Sequence, residues 1–398
     1  MSWIEWYQLA VLALLVWLFL ASLANLMLFP RLRPGRVADH GMVSLLVPAR
    51  NEEANIEACV RSLAAQDYPQ LEVIVLDDRS EDDTAAVLER CGFVETAENP
   101  KARLKWIRGV DLPQGWAGKP WACHQLAGQA QGQWLLFTDA DTIHDPGAVS
   151  AAVELAVKER ASLLSAWPWQ KTGSWSERLV VPLLYILTHV FLPQAMVRGF
   201  LRFPEVAARL GPRRMASFGA ANGQFMLFTR DAYERAGGHE AVRDHLVEDV
   251  AIGRRIMADT GKGARLVNAD SSGLVRCRMY RSFAEVWSGF SKNVRPVFER
   301  NGFSFVAFGV FQAAVFVLPF LFVILPLAGR EWVVAQIAVI LLIRTVLALR
   351  FRTSWWSVVL HPFAYALAML IALNSWRLSR AGKIQWKGRI YDPFRSDT

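Results

Sequence analysis

Two aspartates one residue apart, Asp139 and Asp141, end an apolar run of strand length, QWLLFTDAD at 133–141. Buried strands of α/β proteins read this way, and ligands of such folds bind beyond the carboxyl ends of the strands. A hard divalent ion takes oxygen ligands and needs few from the protein when a diphosphate supplies the rest, so the pair suits a metal–diphosphate site. A solvated turn after a strand has the same composition. Two further stretches carry charge where chemistry could use it. Lys119 lies in DLPQGWAGKPWACHQ, 111–125, among two glycines, two prolines and two tryptophans; it either meets a phosphate or is a solvated loop lysine, and the glycine spacing is not that of a Walker A loop. Glu248 and Asp249 stand near the start of an expected helix, HLVEDVAIGRRIM, where the helix dipole favours anions and where acids also serve as caps.

The surrounding pattern supplies a scaffold. VSLLVP at 43–48 is a short buried-strand run, followed by Arg50, Asn51, Glu52 and Glu53 and by helical spacing over 53–65. A second strand, 71–76, ends in Asp77 and Asp78, giving a right-handed βαβ unit. A helix at 84–90, a strand at 104–107, a helix at 121–130, the strand before Asp139 and a helix at 148–159 continue the alternation. A Gly-Asn-Gly-rich entry containing Asn222, Gly223 and Gln224 opens a strand at 224–229. The fold class expected is α/β, a nucleotide-binding, mostly parallel sheet with flanking helices.

Apolar residues gather at both ends of the 398-residue chain. Residues 3–29 are long enough to span a bilayer, and exceed a signal-peptide core with no positive residues ahead of them. The charge of +8 reads as membrane-surface affinity rather than nucleic-acid binding, because Arg31, Arg33 and Arg36 follow that first span and place the middle of the chain in the cytoplasm. Cys59, Cys91, Cys123 and Cys277 have no metal-ligand spacing and read as reduced thiols. The segment at 179–200, interrupted by Pro182, His189 and Pro193, and the basic-aromatic segment at 278–302, with Trp287, Lys292 and Arg295, are expected to lie in the membrane interface. Three span candidates follow, 303–327, 332–349 and 355–376, and then a basic tail, 377–398, containing WKGRIY with Trp386. Arg344 inside the second candidate implies a bundle interior or an interfacial position.

VPARNEEANI at 47–56, VLDDRSEDDT at 75–84, FTDAD at 137–141 and VED at 247–249 together resemble the family 2 glycosyltransferases of GT-A fold, in the family order and over nearly the whole chain. RMYRSFAEVWSGFSKN at 278–293 and the stretch from His361 to Tyr391 are similar to the membrane glycosyltransferases of carotenoid biosynthesis, including the diaponeurosporenoate type; the layout also resembles ceramide glucosyltransferases. The resemblance implies a GT-A domain at 40–277 between a first membrane helix at 1–30 and a membrane region at 303–376. It implies a nucleotide-sugar donor, with Asp78 or Asp77 on the base and Ala49, Arg50, Asn51 and Glu52 lining the same pocket. Asp139 and Asp141 would hold the diphosphate through Mg²⁺ or Mn²⁺, with Lys119 beside them. Asp249 would be the general base, with Glu248 as its partner.

Asn222, Gly223 and Gln224, together with Trp287, Lys292, Arg295 and Trp386, are expected on the acceptor side. Processive relatives carry Q-x-x-R-W after the E-D pair; here WSGFSKNVRP has Pro296 where tryptophan is required, which favours transfer of a single sugar. The acceptor expected is a lipophilic molecule of the bilayer, a carotenoid or other terpenoid, with ceramide and diacylglycerol as alternatives. The location expected is the inner cell membrane, with several passes and a cytoplasmic catalytic domain. A non-catalytic membrane assembly subunit of the same fold is the reading the intact acids oppose. One terminal span and three complete later ones would put the basic tail outside, so one C-terminal segment is expected to dip into the membrane without crossing.

Overall fold

The structure, a computed structural model, describes residues 2–35, 38–299, 301–326 and 328–391; Arg36 and the tail from residue 392 lie outside these. Thirteen strands are described. An eight-stranded sheet contains β1 (Val43–Ala49), β2 (Leu71–Asp77), β3 (Val94–Glu95), β4 (Leu104–Arg108), β5 (Trp134–Phe137), β7 (Leu163–Trp167), β9 (Met226–Thr229) and β10 (Leu266–Asp270). Its order is β10-β7-β9-β5-β1-β2-β4-β3, parallel throughout except for β9, which runs against β5 and β7. β6 (Thr142–His144), β8 (Trp169–Gln170) and β11 (Val275–Cys277) form a small sheet, and β12 (Ile384–Trp386) and β13 (Arg389–Tyr391) a hairpin. β2 is buried at every position, and β1 at all but Pro48, the consequence of helices covering both faces of a parallel sheet. Inside it, Lys105 pairs with Glu72 at 2.9 Å, and Glu72 also accepts from Ser44 Oγ at 2.6 Å.

A second hydrophobic core lies outside the sheet. Leu15 and Leu18 of the Trp3–Leu28 helix pack there with Ile186, Phe316, Ile340 and Tyr365. Among the described residues three helices are long and apolar enough to cross a membrane: Trp3–Leu28, Gly302–Phe322 and Arg330–Phe351. Gln336 of the last donates to Gln8 of the first, twice at 2.7 Å, a polar tie between two apolar helices. Arg344 is buried and donates to the Ser357 carbonyl at 2.6 Å, so it faces the bundle interior. The helix at the third C-terminal candidate, His361–Arg380, is not among the three.

Residues 175–202 form a broken pair of helices bent by 42°. β9 and β10, which follow the pair, join the same sheet as β5 and β7, which precede it. The pair therefore enters and leaves on one side, and its Leu179, Tyr185 and Ile186 are buried in the second core rather than spread over a surface. The short strands β3, β6, β8, β10 and β11, and β7 with its LLSAW, carry too few residues to show a period.

Candidate active site

The chain passes from β1 outward to β2 and β4, then recrosses to β5 on the other side of β1. At such a switch the connections leave in opposite directions and a crevice opens at the strand ends. Ala49 ends β1 and Arg50 to Glu52 follow it, Asp78 follows β2, which itself ends in Asp77, and Asp139 and Asp141 follow β5. The first two turns are tied together. Asn51 and Arg79 adopt φ of 51° and 57°; the Asn51 amide donates to Ser80 Oγ and the Glu81 amide to Asn51 Oδ1, both at 2.9 Å. Asp77 Oδ1 accepts from the Ser80 amide at 3.1 Å, and the Ala49 carbonyl from the Asp78 amide at 2.7 Å.

Lys119 is the second residue of the helix Gly118–Gln129, which corrects its reading as a loop lysine. A cation at a helix N-terminus opposes the dipole and needs compensation. It has two anions: Nζ lies 2.7 Å from Asp139 Oδ1 and 2.8 Å from Glu248 Oε1. Burial works against its charge, but Asp139, Glu248 and Asp249 outweigh it and hold the ammonium well above its usual range. The preceding loop is pinned toward the E-D pair, since the Ala117 amide donates to the Arg243 carbonyl at 2.6 Å. One ammonium thus joins the acid after β5 to the acid that opens the helix Glu248–Ala258.

The two acids of the E-D pair have different surroundings. Glu248 is only 3% exposed; burial opposes its charge, yet Lys119, by charge and hydrogen bond, keeps its carboxyl below the usual range. An ion pair with Lys119, 2.8 Å from its Oε1, thus holds this acid at the start of the helix. Asp249 Oδ2 accepts from the Gly223 amide at 2.7 Å and Oδ1 from the Val250 amide at 2.8 Å. Burial, and then the charge of Glu248, push Asp249 up to about 6. Gly223 permits this approach: a β-carbon there would sit 2.9 Å from Lys119 Nζ and 3.2 Å from Asp249 Oδ2.

A network missing from the sequence reading holds the Asp139 turn. Thr142 Oγ1 donates to the Asp139 carbonyl at 2.7 Å, and Thr138 Oγ1 to the Gln224 carbonyl at 2.8 Å, both beside the buried His144. Burial lowers His144 to about 3, so it acts here as a neutral ring. Gln224 is buried, its Oε1 accepting from Gln170 Nε2 at 2.7 Å, and the Asn222 amide donates to Ser165 Oγ at 2.8 Å. Their side chains and amides therefore build the wall behind Gly223.

The hairpin β12–β13 closes the β1–β2 side of the crevice. Arg389 donates to both carboxylate oxygens of Asp78, at 2.5 and 3.0 Å. Lys387 Nζ lies 3.0 Å from Glu52 and 2.9 Å from the Asn51 carbonyl, while Arg50 Nε donates back to the Lys387 carbonyl at 2.9 Å. Lys387 and Arg389 were not singled out from WKGRIY; two cations among aromatic residues after a helix were the available signal.

Lys292, on the helix Phe283–Asn293, sits 4.1 Å from the centre of the Trp386 ring and feels the charges of Glu248 and Asp249. Burial lowers it to about 8. Trp287 packs against the second core, beside Phe283. Arg295, expected on the acceptor side, is buried: its amide donates to Ser375 Oγ at 2.9 Å, and its guanidinium donates to the Glu299 carbonyl and lies over the Trp376 ring. It fastens this corner to the last long helix.

Among the described residues no group of three His, Cys, Asp or Glu could hold a metal ion. The two aspartates still fit a divalent cation whose other ligands come from a diphosphate. Asp141 Oδ1 is buried without a hydrogen-bond partner, and burial, then Asp139 and Glu52, push its carboxyl up to about 7. Among the described residues Asp141 lacks the close cation that Lys119 gives Asp139.

Residues 44–223 match the family model described as Glycosyl transferase family 2. The chain is 26% identical over 363 residues to the 4,4'-diaponeurosporenoate glycosyltransferase of Staphylococcus aureus strain MRSA252, covering 89% of each chain, and matches the protein of that name in strain USA300 to the same extent. Among solved structures it is similar to the mannosyltransferase PcManGT from Pyrobaculum calidifontis in complex with GDP-Man and Mn²⁺. The TM-score is 0.51 at 18% identity, over 94% of this chain and 99% of that one, a likeness of GT-A fold.

Proposed function

We propose that this chain, a glycosyltransferase built on a family 2 domain, moves one hexose from a nucleotide-sugar, a UDP-hexose in the first instance, onto a lipophilic acceptor held in a membrane. The observation that carries the reading is the convergence on Lys119: Asp139 on one side, Glu248 on the other, and Asp249 next in sequence. Donor chemistry and acceptor chemistry meet within the reach of one side chain.

In this mechanism the crevice wall of Ala49 to Glu52 and Asp77–Asp78 receives the nucleoside. Asp139 and Asp141 would hold a divalent cation, which would supply charge stabilisation for the departing diphosphate. Lys119, freed from part of its pairing with Asp139, offers its ammonium to the same phosphates. The bond from the anomeric carbon to the diphosphate oxygen breaks through an oxocarbenium-like transition state as the acceptor oxygen bonds to that carbon. Asp249 takes the hydroxyl proton, its raised affinity for protons suiting a base that works near neutrality. Glu248, fixed by Lys119, keeps Asp249 basic through its charge. A carboxylate acceptor brings no proton to remove, and Asp249 then only orients it.

A bilayer acceptor is supported by the apolar helices that flank the acid pair in sequence and by the carotenoid name of the similar curated proteins. With three crossings, β12–β13 returns to the catalytic side, in keeping with its contacts to Asp78 and Glu52. Expression in a carotenoid-producing host tests the acceptor: more polar, hexose-shifted pigment supports it. Unchanged pigment with new hexosyl-ceramide or hexosyl-diacylglycerol moves the assignment to another lipid, and activity on soluble sugars alone defeats the membrane acceptor.

A further inference from the structure

Where the Trp3–Leu28 helix meets the catalytic domain there is an open-sided cavity of about 740 Å³. One wall is apolar, with Leu23, Leu26 and Phe29 at the end of that helix. The other carries five cations, Arg31, Arg33, Lys158, Arg198 and Arg350, against a single acid, Glu159. Glu159 is already 3.3 Å from Arg198, and Asp270 behind the wall pairs with Arg31 at 3.9 Å and with Arg350. Arg33 and Lys158 have no ion pair with the described residues, and the buried Nε of Arg350 has no hydrogen-bond partner. Positive charge here exceeds what the protein neutralises. The cavity sits at β10, three strands from β5, roughly 14 Å at the usual strand spacing, so the reaction does not use it.

We propose that this cavity binds an anionic phospholipid from the leaflet facing the catalytic domain. The phosphate lies against the Lys158 ammonium and against Arg33 and Arg350, whose guanidinium groups match phosphate oxygens, and an acyl chain runs along Leu23 and Leu26. A free phosphate would satisfy the cations and leave the apolar wall unused; an amphiphile satisfies both. Because the residues after the first helix add to the edge of β10, through Leu32 N to Asp270 O at 2.9 Å and Asp270 N to Pro30 O at 2.7 Å, a lipid held there fixes the height of the sheet above the bilayer. The proposal rests on the reading that Trp3–Leu28 crosses the membrane.

The test uses the full chain, taken from carbonate-washed membranes into mild detergent. Phospholipid retained by the protein is read by mass spectrometry, and Tm is followed on adding dioleoylphosphatidylglycerol, dioleoylphosphatidylcholine or inorganic phosphate. Phosphatidylglycerol should be retained and raise Tm by roughly 3 °C or more, while the other two should not. Arg33→Glu with Lys158→Glu should abolish that difference. Leu26→Trp, which fills the apolar half and keeps every charge, should lose the retained lipid while unfolding cooperatively. An equal response to the two lipids, a phosphate effect as large as that of phosphatidylglycerol, or wild-type retention by the charge-reversed variant overturns the site. Release of the wild-type chain by carbonate defeats the membrane reading and the site together; loss of lipid selectivity in a carbonate-resistant chain defeats the site alone.

Discussion

Arg389 grips both carboxylate oxygens of Asp78 across 311 residues of sequence. A planar guanidinium holds a carboxylate in one orientation, which an ammonium cannot do. With Asp78 only 4% exposed, the direction of its remaining lone pairs is set by this fork. Arg389→Ala should weaken UDP binding about tenfold in titrations of purified protein, and Arg389→Lys should recover little of it. Unchanged or tighter binding in the alanine variant would show that the fork does not orient Asp78 for the nucleotide.

Asp249 must be ionised to accept a proton. With its carboxyl at about 6, transfer to a hydroxyl acceptor should rise about tenfold per pH unit below 6 and level off above it. Asp249→Asn should remove that rise and lower the rate ~100-fold while donor binding persists. An unaltered pH–rate profile in the variant would reassign the base.

Metal removal should abolish transfer, with Mg²⁺ or Mn²⁺ restoring it, and Asp141→Asn should cost ~100-fold. Because Asp141 titrates at about 7, a cation must displace a proton there near neutrality. Metal affinity measured by calorimetry should therefore strengthen as the pH rises through 7. Full activity in EDTA would end this assignment.

Lys119→Met should leave Glu248 buried without its cation. The expected loss is about 2 kcal/mol, below that of a fully enclosed pair because Lys119 keeps 32% of its side chain exposed. Adding Glu248→Gln should return most of the lost Tm. A double variant no more stable than Lys119→Met would mean that the charge on Glu248 is compensated elsewhere.

A cysteine placed at the exposed Lys383 reports topology. An impermeant thiol reagent should fail to label it in intact cells and label it after permeabilisation. Labelling of intact cells would put β12–β13 on the wrong side for its contacts with Asp78.

Much of this site was visible as motif: strand runs that stop in acids gave β1, β2 and β5 and the positions of Asp78, Asp139 and Asp141, because burial on both faces leaves a continuous apolar run and a sharp end. What joins the motifs was not visible. Lys119 looked like a loop residue because glycine and proline precede its helix, and nothing local announces that its partners are 20 and 129 residues away. Nothing local to Arg295 announces Ser375, whose hydroxyl accepts from its amide across 80 residues. The Lys105–Glu72 pair joins two buried charges 33 residues apart, and neither strand alone shows its partner.

The hairpin that closes the β1–β2 side of the crevice follows the last long helix, and this has a consequence for biosynthesis. A ribosome completes β1, β2 and β5 well before it reaches Lys387 and Arg389. The half-made chain lacks the cations that hold Glu52 and Asp78 and one wall of the crevice. Only after the apolar helices have emerged and found their places can the hairpin fold back onto Glu52 and Asp78. On the proposed function, sugar transfer would then wait for the apolar helices to find their places, and half-made chains would draw little on the donor supply of the cell.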